Sequence, residues 1–502
     1  MAMRKKSVQF WTFWILFNAV LFVAGWIKQQ NDFGLRLLNR LQLSVFTSRG
    51  AGLVLAVDSA LLIVPMCRNT KDWMRNTFLG KIIPFDESIF FHKVCAWTIL
   101  LFSLVHTNAH YVNFFNVETR LAALGIRTWQ IHYTVFGGWT GHIMLMLMFF
   151  MYTSAAIQMR HQSFETFWFV HHLAFIWYLC IFFHGYGCFV KTVEGECRPY
   201  YSWAYCLFVA TIYLGERIYR EIRGNRQTKI TNVVLHPGNA LEIQWDKPSM
   251  KYLPGQYVFI NIPEIAGAQW HPFTLTSCPD ERYISVHCRL VGDWTKAAAR
   301  CLGQLDEKRD WSQVKLRVDG PYCAPADRVF EFDHAILVGA GIGVTPFASI
   351  LKSMYFKYQR GEKMRLKKAD FFWVNRDKKA FEWFQAELAN IENMLPSHML
   401  NFHLYLTEKL DLNQIHNYCV NVGNDYDPIT DLRTKMSFGR PNWEQSFAKI
   451  RDQALGLRTN SKEKLQVAVF FCGPAAIARA LDEACNSLNS NSVEFSFYKE
   501  HF

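Results

Sequence analysis

Apolar residues in the first 220 positions run in long stretches, whereas after residue 226 they alternate in short bursts between turns. Six of the stretches, near 8–27, 43–66, 89–112, 133–157, 167–190 and 199–218, reach the roughly 20 residues a helix needs to cross a bilayer core of about 30 Å. They predict an α-helical six-span membrane bundle. The later segments "TNVVLHPGNALEIQW", "GQYVFINIP", "ERYISVHCRL" and "VKLRVDGPY" have the short alternating pattern of strands and predict a small antiparallel β-barrel. From "HAILVGAGIGVTPFASIL" onward, apolar strands enter turns and helices, which predicts an α/β domain with a parallel sheet. The expected boundaries are 1–218 for the bundle, 219–330 for the barrel and 331–502 for the α/β domain.

Charge sharpens this division. Only 19% of residues are charged, and most of them follow position 220. The N-terminus, the 67–88 loop and the segment after 216 carry more Lys and Arg than the other loops, which predicts that both termini are cytoplasmic; Lys28, Arg36 and Arg40 in the first outer loop run against it. "MAMRKK" leads into the first apolar run without a small-residue cleavage site, so no cleavable signal is expected. The net charge of +12 fits membrane-facing loops, lipid as a partner and an anionic ligand; no nucleic-acid partner is expected. The 13 cysteines lack metal-site spacing, but Cys188 and Cys197 share the last outer loop and are a candidate disulfide.

The chemistry of the membrane half lies in its histidines. His92 and His106 are 14 residues apart, about 21 Å and nearly four turns of helix, so both rings leave one face at different depths. The fifth span repeats the theme with His171, His172 and His184. These two spans run in the same direction, so one histidine of each lies low and one high, and two stacked haems with paired axial imidazoles are the expected occupants. The 13 residues from His171 to His184 do not close on one face of a straight helix, and His172 does only slightly better, so a bend or π-bulge is expected there. His142 reads as a polar tether between helices, and His110 as a further polar group at the outer mouth. An unpaired arginine at mid-bilayer costs at least about 3 kcal/mol, so Arg49 should face the bundle, where haem propionates would partner it, or else snorkel to the surface.

In the soluble half, "HPFTLTS" offers the His271-Pro272-Phe273 backbone and Thr274, preceded by Trp270, to an isoalloxazine ring. Arg289 and a helix opening at Trp294 and Thr295 suit its pyrophosphate, so FAD is the expected cofactor. The glycines Gly339, Gly341 and Gly343 follow an apolar strand and lead into a helix beginning with Thr345 and Pro346, the arrangement that lets a nucleotide phosphate approach backbone. Cys472, Gly473 and Pro474 lie at the C-terminal end of a later strand. Arg376 and Arg440 are candidates for the 2′-phosphate of NADPH, although arginines on loops are commonly just solvated.

In order along essentially the whole chain, "FHKVCAWTILLFSLVHTNAH", "FVHHLAFIWYLCIFFHG", "HPFTLTS", "RLVGDWT", "GAGIGVTPFASIL", "FEWF", "DPITDLRTKMSFGRPNW", "CGP" and "FYKEHF" resemble the NADPH oxidase catalytic subunits, of the kind found in phagocyte flavocytochrome b and in fungi. The resemblance implies a ferredoxin-reductase-like FAD and NADPH module following the bundle in the chain. It implies that NADPH, as substrate, reduces FAD, that electrons pass through two b haems, and that oxygen becomes superoxide on the far side. It assigns His92 and His171 to the inner haem and His106 and His184 to the outer, Arg376 and Arg440 to NADPH, and Phe502 to the flavin face. Arg49, His110, Cys472 and Phe502 are the catalytic candidates. By analogy it also implies a plasma or endomembrane location, a small membrane subunit, and cytosolic activators with a small GTPase.

The last outer loop, about 187–199, is short, and loops of this kind influence whether superoxide or hydrogen peroxide escapes. No D-x-D-x-D-G loop precedes the first span, so direct calcium control is not expected. The alternative enzyme is a ferric-chelate reductase of the same architecture, against which "GRPNW" and "FYKEHF" weigh. A proton channel along His110 and Arg49 would leave the flavin and nucleotide motifs without work.

Overall fold

The structure, a computed structural model, describes residues 2–81, 83, 85–120, 125–186, 200–226, 228–248, 250–306, 309–409, 412–421, 423–456 and 464–500. Cys188, Cys197 and Phe502 therefore lie outside the described residues. The chain forms two compact units, Met1–Ile218 and Tyr219–Phe502.

The predicted apolar stretches are helical: Ala2–Gln30, Leu43–Ile63, Ser88–Arg120, Phe136–Ser154, Phe164–His171 followed by Ala174–His184, and Ser202–Gly224. Among the described residues, Val8–Gln30, Leu43–Met66, Phe85–Arg120 and Phe164–His184 are long and apolar enough to cross a bilayer. Thr128–Thr134 and Phe136–Ser154, bent by 68°, make a fifth crossing if taken together. The last turns of Ser202–Gly224 carry Glu216, Arg217, Arg220, Glu221 and Arg223, so only its first part is apolar. The unit exposes large apolar side chains all round, Phe208 at 73% and Trp97 and Phe149 at 65% each, a surface suited to lipid and not to water. It is a membrane protein. Small residues bring its first two helices together: a Cβ on Gly50 would meet the Phe22 carbonyl at 2.7 Å, and one on Gly25 the Arg49 carbonyl at 3.0 Å.

The fifth span is broken at His172 and Leu173. There the backbone bonds shorten to the three-residue spacing of a 3₁₀ turn, His172 N–H to Phe169 and Leu173 N–H to Val170. Thirteen residues of α-helix turn through about 1,300°, short of four full turns, and the overwound step adds rotation in the direction that brings His171 and His184 onto one side. A bend is what the spacing required, and it takes the 3₁₀ form instead of a π-bulge.

In the second unit, β1 (Lys229–His236), β2 (Ala240–Asp246) and β5 (Ile284–Arg289) form one antiparallel sheet in the order β1-β2-β5. β3 (Tyr257–Asn261), β4 (His271–Thr274) and β6 (Arg317–Tyr322) form a second in the order β4-β3-β6. Their inward residues, including Trp245, Val258 and Val318, make a common core. β7 (His334–Ala340), β8 (Lys368–Asn375), β9 (Leu400–Leu406), β10 (Ser437–Phe438), β11 (Leu465–Cys472) and β12 (Val493–Lys499) form a parallel sheet ordered β10-β9-β8-β7-β11-β12. β8 is buried along nearly its whole length, as a strand covered on both faces must be.

Asp319, 1% exposed, anchors the start of this unit. It accepts hydrogen bonds from Arg220 at 2.9 Å, Arg223 at 2.7 Å and the Tyr322 hydroxyl at 2.6 Å. Burial pushes its carboxyl up, but Arg223 and Arg220 outweigh burial and hold it below the ordinary value. The folded state is therefore favoured above the unfolded pKa near 4, and that advantage is lost as pH falls through the lower folded value. Asp319→Asn should cost about 3 kcal/mol, since it leaves two half-buried guanidinium groups without their anion. It should also flatten the fall in thermal stability between about pH 5 and pH 3, measured by fluorescence-detected melting of the full chain.

Candidate functional site

Two imidazole pairs stand in the helical unit. The ring centroids of His92 and His171 are 6.1 Å apart, and those of His106 and His184 are 6.2 Å apart. Two imidazoles bound in trans to one metal ion have bonds of about 2 Å and ring centres about 1 Å behind each nitrogen, so their centroids fall about 6 Å apart. Both pairs meet that separation. Their ring nitrogens are oriented for it as well. His92 Nδ1 lies 3.0 Å from the Leu62 carbonyl and His106 Nδ1 lies 2.9 Å from the Ser48 carbonyl. A carbonyl only accepts, so each Nδ1 carries the proton and each Nε2 keeps its lone pair for a metal.

His184 reaches the same state by another route. Its Nδ1 is 2.9 Å from Thr140 Oγ1, whose single proton is given to the Phe136 carbonyl, so His184 must be the donor. His171 Nδ1 has no partner among the described residues. Ser48 and Leu62 repeat on the second helix the 14-residue spacing of His92 and His106 on the third, which fixes both rings with one helix pairing. His172 is turned away, its Nδ1 2.6 Å from the Trp168 carbonyl and its ring 4.2 Å from the Trp168 ring.

Beside the His106–His184 pair lies a cavity that is only partly enclosed. Two glycines keep space clear there: a Cβ on Gly52 would stand 3.4 Å from His106 Cε1, and one on Gly141 3.3 Å from His184 Cε1. His110, 4.5 Å from His106 between centroids, lines the cavity with a buried Nδ1 that has no partner among the described residues. Arg49 also lines it and sits 5.4 Å above the Tyr200 ring. His142 bonds the Gly138 carbonyl at 2.8 Å and the Tyr111 hydroxyl at 3.2 Å, joining the third and fourth helices. Sequence reasoning missed Thr140, Gly52 and Gly141. The small-residue run "GGWTGH" is the signal that could have pointed to the last of these.

In the barrel, His271, Pro272, Phe273 and Thr274 are β4 itself. The Trp294 ring stacks on His271 at 4.2 Å and on Phe273 at 5.8 Å, so Trp294 is a buried support for this strand. The helix expected at Trp294 and Thr295 runs Asp293–Cys301, and no side chain caps its first turn, which leaves its N–H groups available. Thr295 donates its hydroxyl proton back to the Gly292 carbonyl at 2.9 Å. Arg289 ends β5, exposed. Trp270 packs under the Arg317 guanidinium at 4.8 Å. Burial pushes the His271 imidazole down to about 4, so it is neutral at physiological pH, with a buried Nε2 that has no partner among the described residues.

In the parallel sheet, chain order reverses between β7 and β11, the switch point where open sheets bind ligands. Gly339, in β7, pairs with Cys472 at the end of β11. Gly341 and Gly343 form the turn after β7, and Thr345 and Pro346 begin the Thr345–Gln359 helix. Gly473 has φ +155°, and a Cβ there would meet Ala340 Cβ at 2.7 Å; Pro474 caps the next helix. Cys472 is buried, which pushes its thiol up and keeps it neutral. Arg376 and Arg440 are exposed just beyond the C-terminal ends of β8 and β10.

Paired intramembrane imidazoles, an antiparallel barrel and a nucleotide-type parallel sheet define a membrane-bound flavoprotein oxidoreductase. Family models agree part by part: a ferric reductase like transmembrane component matches residues 54–182, an FAD-binding domain 225–326 and a ferric reductase NAD binding domain 332–486. The chain is 33% identical to NADPH oxidase 1 of Mus musculus over 99% of its own length and 94% of the relative's. It is 35% identical to a superoxide-generating NADPH oxidase heavy chain of Dictyostelium discoideum, over 91% and 89%. It is 31% identical to NADPH oxidase 3 of Homo sapiens, over 97% of each. The chain belongs to the NADPH oxidase family.

Proposed function

We propose that this enzyme moves electrons from cytosolic NADPH, through FAD and two b haems, to oxygen across the membrane, and releases superoxide. The observation that carries the reading is the pair of level imidazole clamps on the same two helical segments, each about 6 Å between ring centres. When bound, FAD converts the two-electron chemistry of NADPH into single electrons, which the haems carry across the low-dielectric layer. In this reading His92 and His171 hold the inner haem, and His106 and His184 the outer. The cradle at His106 and His184, kept open by Gly52 and Gly141, supports a flat ligand there. The β4 backbone and Arg289 hold FAD, the turn at Gly339 to Gly343 and the Cys472-Gly473-Pro474 segment hold NADPH, and Arg376 and Arg440 take its 2′-phosphate. Phe502 covers the flavin.

Six spans with both termini cytoplasmic, in a plasma or endomembrane, put that module on the NADPH side. A small membrane subunit, together with cytosolic activators that include a small GTPase, completes the proposal by analogy with relatives.

Where His106 and His184 would hold the outer haem, oxygen would be reduced beside it, in the cavity that Arg49 and His110 also line. Their positions suit them to stabilise the forming anion electrostatically. Replacing both, as Arg49→Gln with His110→Leu, should slow dismutase-sensitive dye reduction by about 100-fold with haem content unchanged. An unchanged oxygen-reduction rate would remove both residues from the chemistry. The same assay decides the activity: ferric-chelate reduction equally fast in argon, with no dismutase-sensitive signal in air, would make the chain a ferric-chelate reductase.

A further inference from the structure

The barrel carries a second cluster of ligating side chains, to which neither FAD nor NADPH gives a role. Glu242 on β2 lies directly opposite His287 on β5, and His236 sits on β1, the strand on the other side of β2. Glu242 Oε2 is 2.9 Å from His236 Nε2 and 3.5 Å from His287 Nε2, and the three donor atoms fall within 4.8 Å of one another. Donor atoms around a tetrahedral ion with bonds of about 2.0–2.2 Å lie about 3.3 Å apart.

The outer contacts match those of a metal centre. Gln244 donates to the other carboxylate oxygen, Oε1, at 2.8 Å, which leaves Oε2 to face both imidazoles. The Thr276 hydroxyl holds His287 Nδ1 at 2.9 Å, fixing the ring with Nε2 forward. The Phe384 ring packs on His287 at 4.6 Å and forms an apolar wall. The carboxylate has no Lys or Arg within ion-pair distance among the described residues, and nearby Lys352 is committed to Glu281 at 3.2 Å. His236 is partly exposed and gives a route in.

We propose that His236, Glu242 and His287 form a binding site for a divalent transition-metal ion of the zinc class, with water in the fourth position. Two imidazoles and one carboxylate are a donor set that zinc favours over calcium or magnesium. The ion would pin three neighbouring strands of the barrel to one another.

Full-length, haem-loaded protein in detergent would be stripped with a chelator, equilibrated with zinc alone, desalted, and assayed for zinc and iron per chain. The wild type should retain about one zinc that Glu242→Gln and His287→Gln lose, with iron equal in all three. Thr276→Val should bind zinc about 10-fold more weakly. Zinc should raise the melting temperature of the wild type but not of Glu242→Gln. If the buried variants do not fold, His236→Asn, at a partly exposed position, makes the same comparison. Equal zinc retention in the wild type and the folded ligand variants, whether high or absent, would overturn the site and leave a hydrogen-bonded His-Glu-His cluster.

Discussion

A His184→Leu protein is expected to purify with about one haem per chain instead of two and to lose superoxide production by more than 100-fold. The argument starts from the donor set. His106 and His184 face each other at 6.2 Å, and among the described residues nothing else near His184 offers a replacement nitrogen in the same place: His110 is packed on the His106 side, and His142 is tied to Gly138 and Tyr111. Leucine matches the volume of the ring and the apolar helix, so the bundle should still assemble. Removing a partner that only orients a ligating histidine typically costs 10- to 100-fold in affinity, and removing the ligand itself should cost more. Thr140→Val supplies the milder case, because it takes away the acceptor for His184 Nδ1–H and leaves the ring. The control is built into the enzyme: NADPH-driven reduction of a soluble dye by the flavin should persist in both variants. Two haems per chain in His184→Leu, with unchanged spectra, would contradict the assignment of the outer pair.

How much of this could be read from residues alone depended on whether a feature was local. The 14-residue step from His92 to His106 was legible because an unbroken helix converts spacing directly into a face. The fifth span was not, because the choice between His171 and His172 turns on two backbone bonds at one 3₁₀ step. Strand alternation announced the barrel, and the glycine run after β7 announced the turn into the Thr345–Gln359 helix. Thr140, Gly52 and Gly141 gave no comparable signal, since their meaning lies in rings that belong to other helices. The helix start at Trp294 was legible, and the Asp293–Cys301 helix opens there; the packing of the Trp294 ring on His271 gave no signal in the sequence. The site formed by His236, Glu242 and His287 was invisible for the same reason: adjacent strands, not adjacent residues, assemble it.

Gly343→Ala is expected to raise the KM for NADPH by about 10- to 100-fold while haem and FAD content stay normal. A Cβ at Gly343 would lie 2.2 Å from the Cys472 carbonyl oxygen and 2.7 Å from its carbon. Both are backbone atoms, so no rotamer change can relieve the overlap; the turn after β7 must move away from the end of β11. Overpacking of this kind costs about 1–3 kcal/mol, and each 1.4 kcal/mol transferred to binding is about tenfold in affinity. The displaced backbone is the crevice at the topological switch point, where the dinucleotide phosphates would approach. Gly341→Ala provides the contrast. It has φ +59° with nothing within 4 Å of an added Cβ, so it carries only backbone strain of about 1 kcal/mol and should shift KM much less. The order of the two effects is therefore diagnostic, and direct nucleotide titration of the flavin spectrum separates it from any change in electron transfer. Equal KM values for the native and Gly343→Ala enzymes would mean that NADPH does not bind between these two strand ends.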